Sequence, residues 1–381
     1  MQLKRKRICI VATVPYALIM FMKSHIAMLA LQYDVTLITN GTKQDMFRLL
    51  GDHIEFIPVK IERKISLWCD ICALFFLYRI FRKSDFDAVH SLMPKTGLLT
   101  MLAAFFAGVP NRIHTFTGQV WANKNGLRRW ALKVFDKIIA LCSTKLLADS
   151  PSQRQFLIDE HVVSEKKIEV LGYGSVCGVN LDRFKPDSTA RQSIRAALEI
   201  PEDAIVYLFL GRLNKDKGIL DLAMAFQALA VDLPNVHLLI VGPDEGGIDH
   251  LLKGLLIGCS SQFHRVGYTD KPESYMACAD VLCLPSYREG FGSVIIEAAA
   301  IGLPSVVSKI YGLIDAVVDG DTGILHQPKN VQEIKLALLT LANDEILREK
   351  MASQAKKRAR TFFATDIVVS AMQRYYKALL D

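Results

Sequence analysis

Two stretches of the sequence carry side chains suited to a phosphorylated ligand. The first is Gly211-Arg212-Leu213-Asn214-Lys215-Asp216-Lys217-Gly218. Glycines at 211 and 218 would let backbone come close to a ligand, Arg212 offers a planar fork of donors, and Lys217 offers a compact positive charge, a combination that fits a diphosphate. Taken by itself, the stretch is equally compatible with an ordinary turn bearing solvated charges.

The second stretch is Pro285-Ser286-Tyr287-Arg288-Glu289-Gly290-Phe291-Gly292-Ser293-Val294-Ile295-Ile296-Glu297-Ala298. Glu289 precedes glycines that open a helix, so free amides near Gly290, Gly292 and Ser293 and the positive helix end would face an anion. Glu297, eight residues on, is expected about two turns along. Carboxylates so placed could accept hydrogen bonds from hydroxyl groups at opposite ends of one ligand. Their plainer roles are a helix N-terminal acid and a surface residue, although Ile295, Ile296, Ala298 and Ala299 around Glu297 call for a partner to its carboxylate.

Both stretches follow apolar runs, Ile205–Leu210 and Val281–Leu284, and ligands of open α/β sheets collect at such strand ends. Short β-branched runs alternate with longer helical patterns along the whole chain, which predicts an α/β fold with parallel sheets. The expected strands are Ile8–Val14, Val35–Ile38, Ile54–Val59, Ala88–Ser91, Arg112–Phe116, Lys145–Ala148 and Ile168–Leu171 in the first half. In the second they are Ile205–Leu210, Val236–Val241, Phe263–Val266, Val281–Leu284 and Ser305–Val307. Each set makes one doubly wound sheet. A glycine- and turn-rich stretch, 172–187, separates them, which divides the chain into domains 1–180 and 190–364. A last helix, 365–381, presents Ile367, Val368, Ala371, Tyr375, Ala378 and Leu379 as one apolar stripe that must pack on something.

A chain of 381 residues has room for two cores. Its net charge of +7 is uneven: residues 1–190 carry 26 Lys and Arg against 16 Asp and Glu, residues 191–381 carry 20 against 23. The basic half favours an anionic partner, a phosphorylated acceptor or an anionic membrane leaflet. No zinc-finger or RNA-recognition signature accompanies it, which sets nucleic acid aside. Eight cysteines without a framework read as reduced, buried thiols of a reducing, cytoplasmic compartment. Cys69-x-x-Cys72 lacks a second pair at zinc spacing and reads as helix interior. Lys4-Arg5-Lys6-Arg7 before the uncharged run Ile8–Met22 has the outline of a secretory signal, but Pro15 interrupts it and no small-residue cleavage site follows. The apolar segments Ile65–Phe81 and Leu98–Val109 fall short of the roughly 20 residues of a membrane span, and peripheral membrane contact is the role left open to them.

The ordered pair G-R-L-x-x-x-K-G and E-G-F-G-x-x-x-x-E-A resembles the retaining GT-B glycosyltransferases of family 4, with the likeness running over essentially the whole chain. Ala148-Asp149-Ser150, Gly178-Val179-Asn180 before Arg183-Phe184-Lys185-Pro186, Val266-Gly267-Tyr268, Ala279-Asp280-Val281 and Asp319-Gly320-Asp321-Thr322-Gly323 are further matching pieces. That resemblance implies two Rossmann-like domains facing across a cleft, the last helix crossing back to the first. It implies that Arg212 and Lys217 with Gly211 hold the pyrophosphate of a nucleotide sugar, that Glu289 with Gly290, Phe291 and Gly292 contacts the sugar, and that Glu297 binds the ribose. Val266 and Tyr268 would border the base. The family retains the anomeric configuration and needs no bound metal or other cofactor; Asp319-x-Asp321 is accordingly a glycine turn at a strand start.

Two departures stand out. Where many members carry a sugar-binding His, this chain has Thr117, followed by Gly118, with His114 three residues earlier; either is a candidate, and a structural histidine at a strand end is an equal reading of His114. The glycine-rich first loop is replaced by Ala12-Thr13-Val14-Pro15-Tyr16. The segment His114–Trp121 with Lys124, Arg128 and Arg129 looks like the subgroup that builds capsule or O-antigen on undecaprenyl pyrophosphate. The expected reaction moves a hexose or N-acetylhexosamine, from a UDP-sugar, to a lipid-linked glycan at the inner leaflet of the cytoplasmic membrane. A GT-B sugar-nucleotide epimerase, a nicotinamide-dependent oxidoreductase and a catalytically dead sugar-binding protein are the alternatives. Against the oxidoreductase, no G-x-G-x-x-G opens a helix after a strand in this sequence.

Overall fold

The computed structural model describes residues 5–42, 44, 54–62 and 66–381; Lys4 and Ile65, named above, lie outside them. The chain divides into two units, Met1–Cys177 with Thr365–Asp381, and Gly178–Ala364.

The first unit holds a parallel sheet of seven strands: β1 (Arg7–Val11), β2 (Asp34–Thr39), β3 (Glu55–Pro58), β4 (Ala88–Leu92), β5 (Asn111–Phe116), β6 (Lys145–Ala148) and β7 (Ile168–Val170), in the order β3-β2-β1-β4-β5-β6-β7. The second holds six: β8 (Ile205–Leu210), β9 (Val236–Val241), β10 (Phe263–Val266), β11 (Val281–Leu284), β12 (Ser305–Ser308) and β13 (Gly323–His326), in the order β10-β9-β8-β11-β12-β13. Among the described residues, helices follow most of the strands and connect them to the next. The near-continuous apolar runs of β8, β9 and β11 are buried on both faces, as strands of a parallel sheet covered on two sides must be. In each sheet the winding reverses once, between β1 and β4 and between β8 and β11. The ends of β8 and β11 therefore lie at the switch point of the second sheet, the place where open α/β sheets collect their ligands.

β1 ends at Val11, three residues before the expected limit, because Pro15 opens the helix Pro15–Ala30 from its first turn, where a missing N–H costs nothing. β13 was absent from the expected strands. It is a four-residue edge strand paired with β12 alone, too short and too mixed to register as an apolar run, although the turn before it was legible. In that turn the Asp319 carboxylate accepts the Leu325 N–H at 2.9 Å. Of the eight free thiols, Cys9, Cys142, Cys259, Cys278 and Cys283 are buried, while Cys72 is exposed on the helix Leu67–Lys83.

The helix Thr365–Leu380 belongs to the first unit. Its buried face is Val368, Ala371, Met372 and Tyr376, turned from the expected stripe so that Ala378 is exposed. Tyr376 is fully buried, its hydroxyl 2.8 Å from Nδ1 of His90 on β4; Nε2 of His90 lies 2.7 Å from the Thr115 hydroxyl on β5. Burial, aided by His25, pushes His90 down to about 3, so the ring is neutral and its two nitrogens are both satisfied.

Tyr376→Phe removes one of those partners and is expected to cost about 1–2 kcal/mol; Tyr376→Ala also leaves a cavity and should cost about 3–5 kcal/mol. All three tryptophans, Trp68, Trp121 and Trp130, lie in this unit, so urea unfolding followed by tryptophan fluorescence reads its stability selectively.

Candidate functional site

The two motif segments meet in the second unit, at the C-terminal ends of β8 and β11. Gly211 N–H donates to Val241 O at 2.9 Å and Leu213 N–H to Pro243 O at 2.9 Å, so the segments after β8 and β9 stay zipped beyond the sheet. Lys215–Lys217 form a single tight turn, and Gly218, at φ +64°, starts the helix Ile219–Ala230. A Cβ on Gly218 would lie 1.9 Å from Pro285 O, because the segment after β11 passes directly against it. Glycine is therefore required twice over, by backbone conformation and by space. The crossing is stitched further: Tyr287 N–H donates to Asp216 O at 2.8 Å, and the Tyr287 hydroxyl donates to the Asp221 carboxylate at 2.6 Å.

Directly beside the crossing, Lys217 Nζ pairs with Glu289 Oε1, and the Ser286 hydroxyl donates to the same oxygen at 2.8 Å. Both charged groups are largely shielded, with 21% and 14% of their side-chain surfaces exposed. Glu289 is thus no helix N-terminal acid. The helix Ser293–Ile301 begins after Gly292, at φ +79°, without a side-chain cap and without an acidic residue in its first turn. Its positive end remains uncompensated by the side chains of its own first turn, the condition under which a helix start attracts an anion.

Since the helix starts at Ser293, Glu297 sits about one turn in, not two. It is half-buried, and among the described residues no hydrogen bond or ion pair reaches its carboxylate. Desolvation pushes its pKa up to about 7; Arg183 pulls it down and Glu273 pushes it up. Arg183 donates to the Glu273 carboxylate at 2.9 Å and to Asp270 O at 2.8 Å, which fixes its charge near Glu297. The sequence placed Arg183 only in a linker; its proximity to Glu297 depends on a contact across ninety residues, for which no local signal exists.

The structure brings Lys217, Glu289, Gly290, Gly292 and Gly211 to one end of the sheet. Arg212 stands on the same segment but is exposed and donates to Glu245 at 2.8 Å, in the segment after β9, where no sequence signal marked Glu245. Val266 closes β10, half-buried, and Tyr268 is exposed just beyond it.

Two expectations are corrected. The Phe291 ring is buried in the core, 5.1 Å from Phe363, so this residue offers a ligand at most its backbone. His114, in the first unit, is fully buried on β5; its Nδ1 lies 2.8 Å from the Ser91 hydroxyl, its ring packs on Phe116, and burial pushes it down to about 3. A neutral ring enclosed by its own core is a structural histidine rather than a catalytic one. Thr117, half-buried, and Gly118, at φ +107°, follow at the strand end. The segment after them is anchored by Trp121, whose indole N–H donates to the buried Asp136 at 2.7 Å. Arg129 is engaged with Glu160 at 2.6 Å, whereas Arg128 is exposed.

Residues 190–358 match the family Glycosyl transferases group 1, and residues 26–174 match the Glycosyl transferase 4-like domain. The capsular polysaccharide biosynthesis glycosyltransferase CapM of Staphylococcus aureus is 31% identical over 326 residues, 85% of this chain and 84% of that protein. The UDP-Gal:alpha-D-GlcNAc-diphosphoundecaprenol alpha-1,3-galactosyltransferase of Escherichia coli is 29% identical over 83% of this chain and 82% of its own length. Among solved structures, Anabaena Alr3699/HepE in complex with UDP and glucose matches with a TM-score of 0.81 at 16% identity, over 98% of this chain and 100% of that one. WaaG, a glycosyltransferase involved in lipopolysaccharide biosynthesis, matches with a TM-score of 0.74 at 18% identity, over 96% and 99%. At such identities the structural matches speak for the fold, two parallel α/β units of the GT-B kind.

Two outcomes follow from this geometry. Gly218→Ala forces the two segments apart and should lower the melting temperature of the second unit by several degrees, on the order of 1–3 kcal/mol. Glu297 binds its proton more tightly folded, near pH 7, than unfolded, near its ordinary 4.5, so its contribution is fully present at pH 4 and lost as the pH rises through 7. Glu297→Gln should therefore melt with the wild type at pH 4 and above it at pH 8, as calorimetry across that range would record.

Proposed function

The chain belongs to the glycosyltransferase group 1 family, and from that premise we propose that it is a retaining enzyme that transfers a hexose or N-acetylhexosamine from a UDP-sugar to a lipid-pyrophosphate-linked glycan during bacterial surface polysaccharide synthesis. The observation that carries this reading is the Lys217–Glu289 pair standing beside the uncapped start of the helix Ser293–Ile301. As the bond between sugar and diphosphate breaks, negative charge grows on the departing phosphates. Lys217, Arg212 and the amides that open the helix stabilise that charge more than the starting state, which is the differential binding that lowers a barrier. Cationic groups already held in place supply the compensation that a divalent metal supplies elsewhere, so the scheme has no metal or cofactor.

Glu289 accepts from Lys217 and Ser286 through Oε1 alone, which leaves Oε2 for a sugar hydroxyl. The partnerless carboxylate of Glu297 takes the ribose hydroxyls, with Val266 and Tyr268 beside the base. In the first unit Thr117 and Gly118 replace His114 as candidates for substrate contact. The choice of UDP and of a diphospholipid acceptor draws on the Escherichia coli relative, whose name states both, and on the capsule-building CapM. The basic first half of the sequence suits a pyrophosphate acceptor presented at the anionic inner leaflet of the cytoplasmic membrane.

The test is a panel of nucleotide sugars scored for nucleoside diphosphate release, with and without lipid-linked acceptors, the product anomer being read by NMR. Lys217→Ala should lower kcat/KM by about 100- to 1000-fold, Glu289→Gln comparably, and Arg212→Ala less, because its side chain is exposed and shared with Glu245. Unchanged turnover in all three variants rejects the site. Conversion of a UDP-sugar without any acceptor turns the reading into that of an epimerase.

A further inference from the structure

Just beyond β5 and Thr117, burial alternates sharply along the chain. Gly118 and Gln119 are buried, Val120 is 38% exposed, and Trp121 is 1% exposed. One apolar side chain is thus carried outward between two large groups driven inward, and each of those groups is tied to a helix. Gln119 Oε1 accepts from Gln153 Nε2 at 3.3 Å, and Gln153 Oε1 accepts the Asp149 N–H at 2.7 Å, which links the segment to the end of β6. Trp121 donates its indole N–H to Asp136 Oδ2 at 2.7 Å, on the helix Gly126–Cys142.

The Trp121 ring is held by more than this bond. Phe156, on the helix Pro151–Asp159, stacks on it with ring centroids 5.2 Å apart. The cations of Arg129 and Lys133 lie over it at 5.1 and 5.5 Å, and each also pairs with Glu160 at 2.6 Å. Enclosing Asp136 is unfavourable: it is 3% exposed, and burial pushes its pKa up to about 7 although the bond from Trp121 pulls it down. A turn that only reversed the chain needs neither a buried carboxyl nor a buried indole. What these bonds secure is the direction of Thr117, Gly118 and Val120. They stand at the C-terminal end of a strand next to β4, one place from the reversal of winding in the first sheet, where ligands collect.

We propose that Val120 is a specificity-determining residue whose methyl groups pack on the C–H face of the acceptor's terminal sugar, and that Trp121 and Asp136 are positioning residues that hold it there. Sugar rings carry an apolar face of C–H bonds beside their hydroxyl groups, and binding sites meet such ligands with apolar contact and a few placed polar groups. Thr117 and Gly118, directly before the turn, supply the polar part. The inference rests on the acceptor reading and assigns to it a residue and its supports.

Steady-state kinetics test it, with the UDP-sugar and the lipid-linked acceptor that the panel above identifies varied separately. Val120→Ser should raise the acceptor KM about 5-fold or more with an unchanged melting curve, because the position is exposed. Trp121→Phe keeps a ring and loses the N–H, and Asp136→Leu loses the oxygen that accepts it. Each should raise the acceptor KM about 10-fold while the UDP-sugar KM stays within about twofold. Asp136→Asn retains an oxygen for the indole N–H and should recover most of the acceptor affinity that Asp136→Leu loses. Amide hydrogen exchange across residues 117–125 should quicken in Trp121→Phe and not in Val120→Ser. An acceptor KM unchanged in Val120→Ser overturns the contact. Equal rises in both KM values, with Asp136→Asn no better than Asp136→Leu, reduce the pair to a structural role and overturn the positioning. Transfer by the wild type together with either result defeats this inference alone, whereas a wild type that transfers to no acceptor defeats the transferase reading and the inference with it.

Discussion

The contact between Gly218 and the carbonyl of Pro285 is so close that no side chain fits between them, and the rest of the site is arranged around it. It joins two segments separated by more than sixty residues at the place where the second sheet reverses its winding. Lys217 precedes the crossing glycine and Glu289 follows the proline by four positions, so fixing the backbone contact fixes the distance between the two charges. Because Asp216 and Asp221 hold Tyr287 from both its ends, this part of the chain is ordered by backbone and side-chain bonds before any ligand arrives. A site set in advance has less entropy to lose on binding.

The same region concentrates unfavourable electrostatics. One oxygen of Glu289 is satisfied twice, but the Glu297 carboxylate lies among aliphatic neighbours without a hydrogen bond, and its proton affinity records the cost of that placement. A group held in this state destabilises the fold and gains a partner only from outside it, which is how binding sites commonly depart from the rules that govern the rest of a protein. Elsewhere in the second unit a buried charge is paired: Arg195, fully enclosed, lies 2.8 Å from the Asp280 carboxylate beside the apolar core. In the first unit His90 and Tyr376 are buried in neutral form as hydrogen-bond partners of each other, while buried His114 is engaged at Nδ1 by Ser91 and unpartnered at Nε2.

Much of the architecture was legible because strands covered on both faces read as apolar runs, and the twelve expected strands fall in the two sheets to which they were divided, although their spatial order was not foreseen. β13 escaped because an edge strand of four residues has little apolar signal. Glycine punctuation located Gly218 and Gly292 without revealing that the first is required by a distant carbonyl. Charge type identified Lys217 and Glu289 but not their mutual pairing, nor Glu245 and Arg183, whose positions are decided by tertiary contacts. The Phe291 ring was expected at the ligand because its motif is, and sequence spacing says nothing about which side of a loop or strand end meets the core; for His114 the same ambiguity left a structural and a substrate-binding role both open.

The helix that delivers Tyr376 to the first core follows the whole of the second unit in sequence. A ribosome must therefore release residues 178–364 before the first unit can be finished, even though its seven strands have long since emerged. The second unit, continuous in sequence, is free to mature in the meantime. During synthesis the earlier unit persists with a gap beside β4 into which the late helix will fit, a window in which chaperones find exposed apolar surface and in which truncation anywhere past residue 177 yields a chain with an unsealed core.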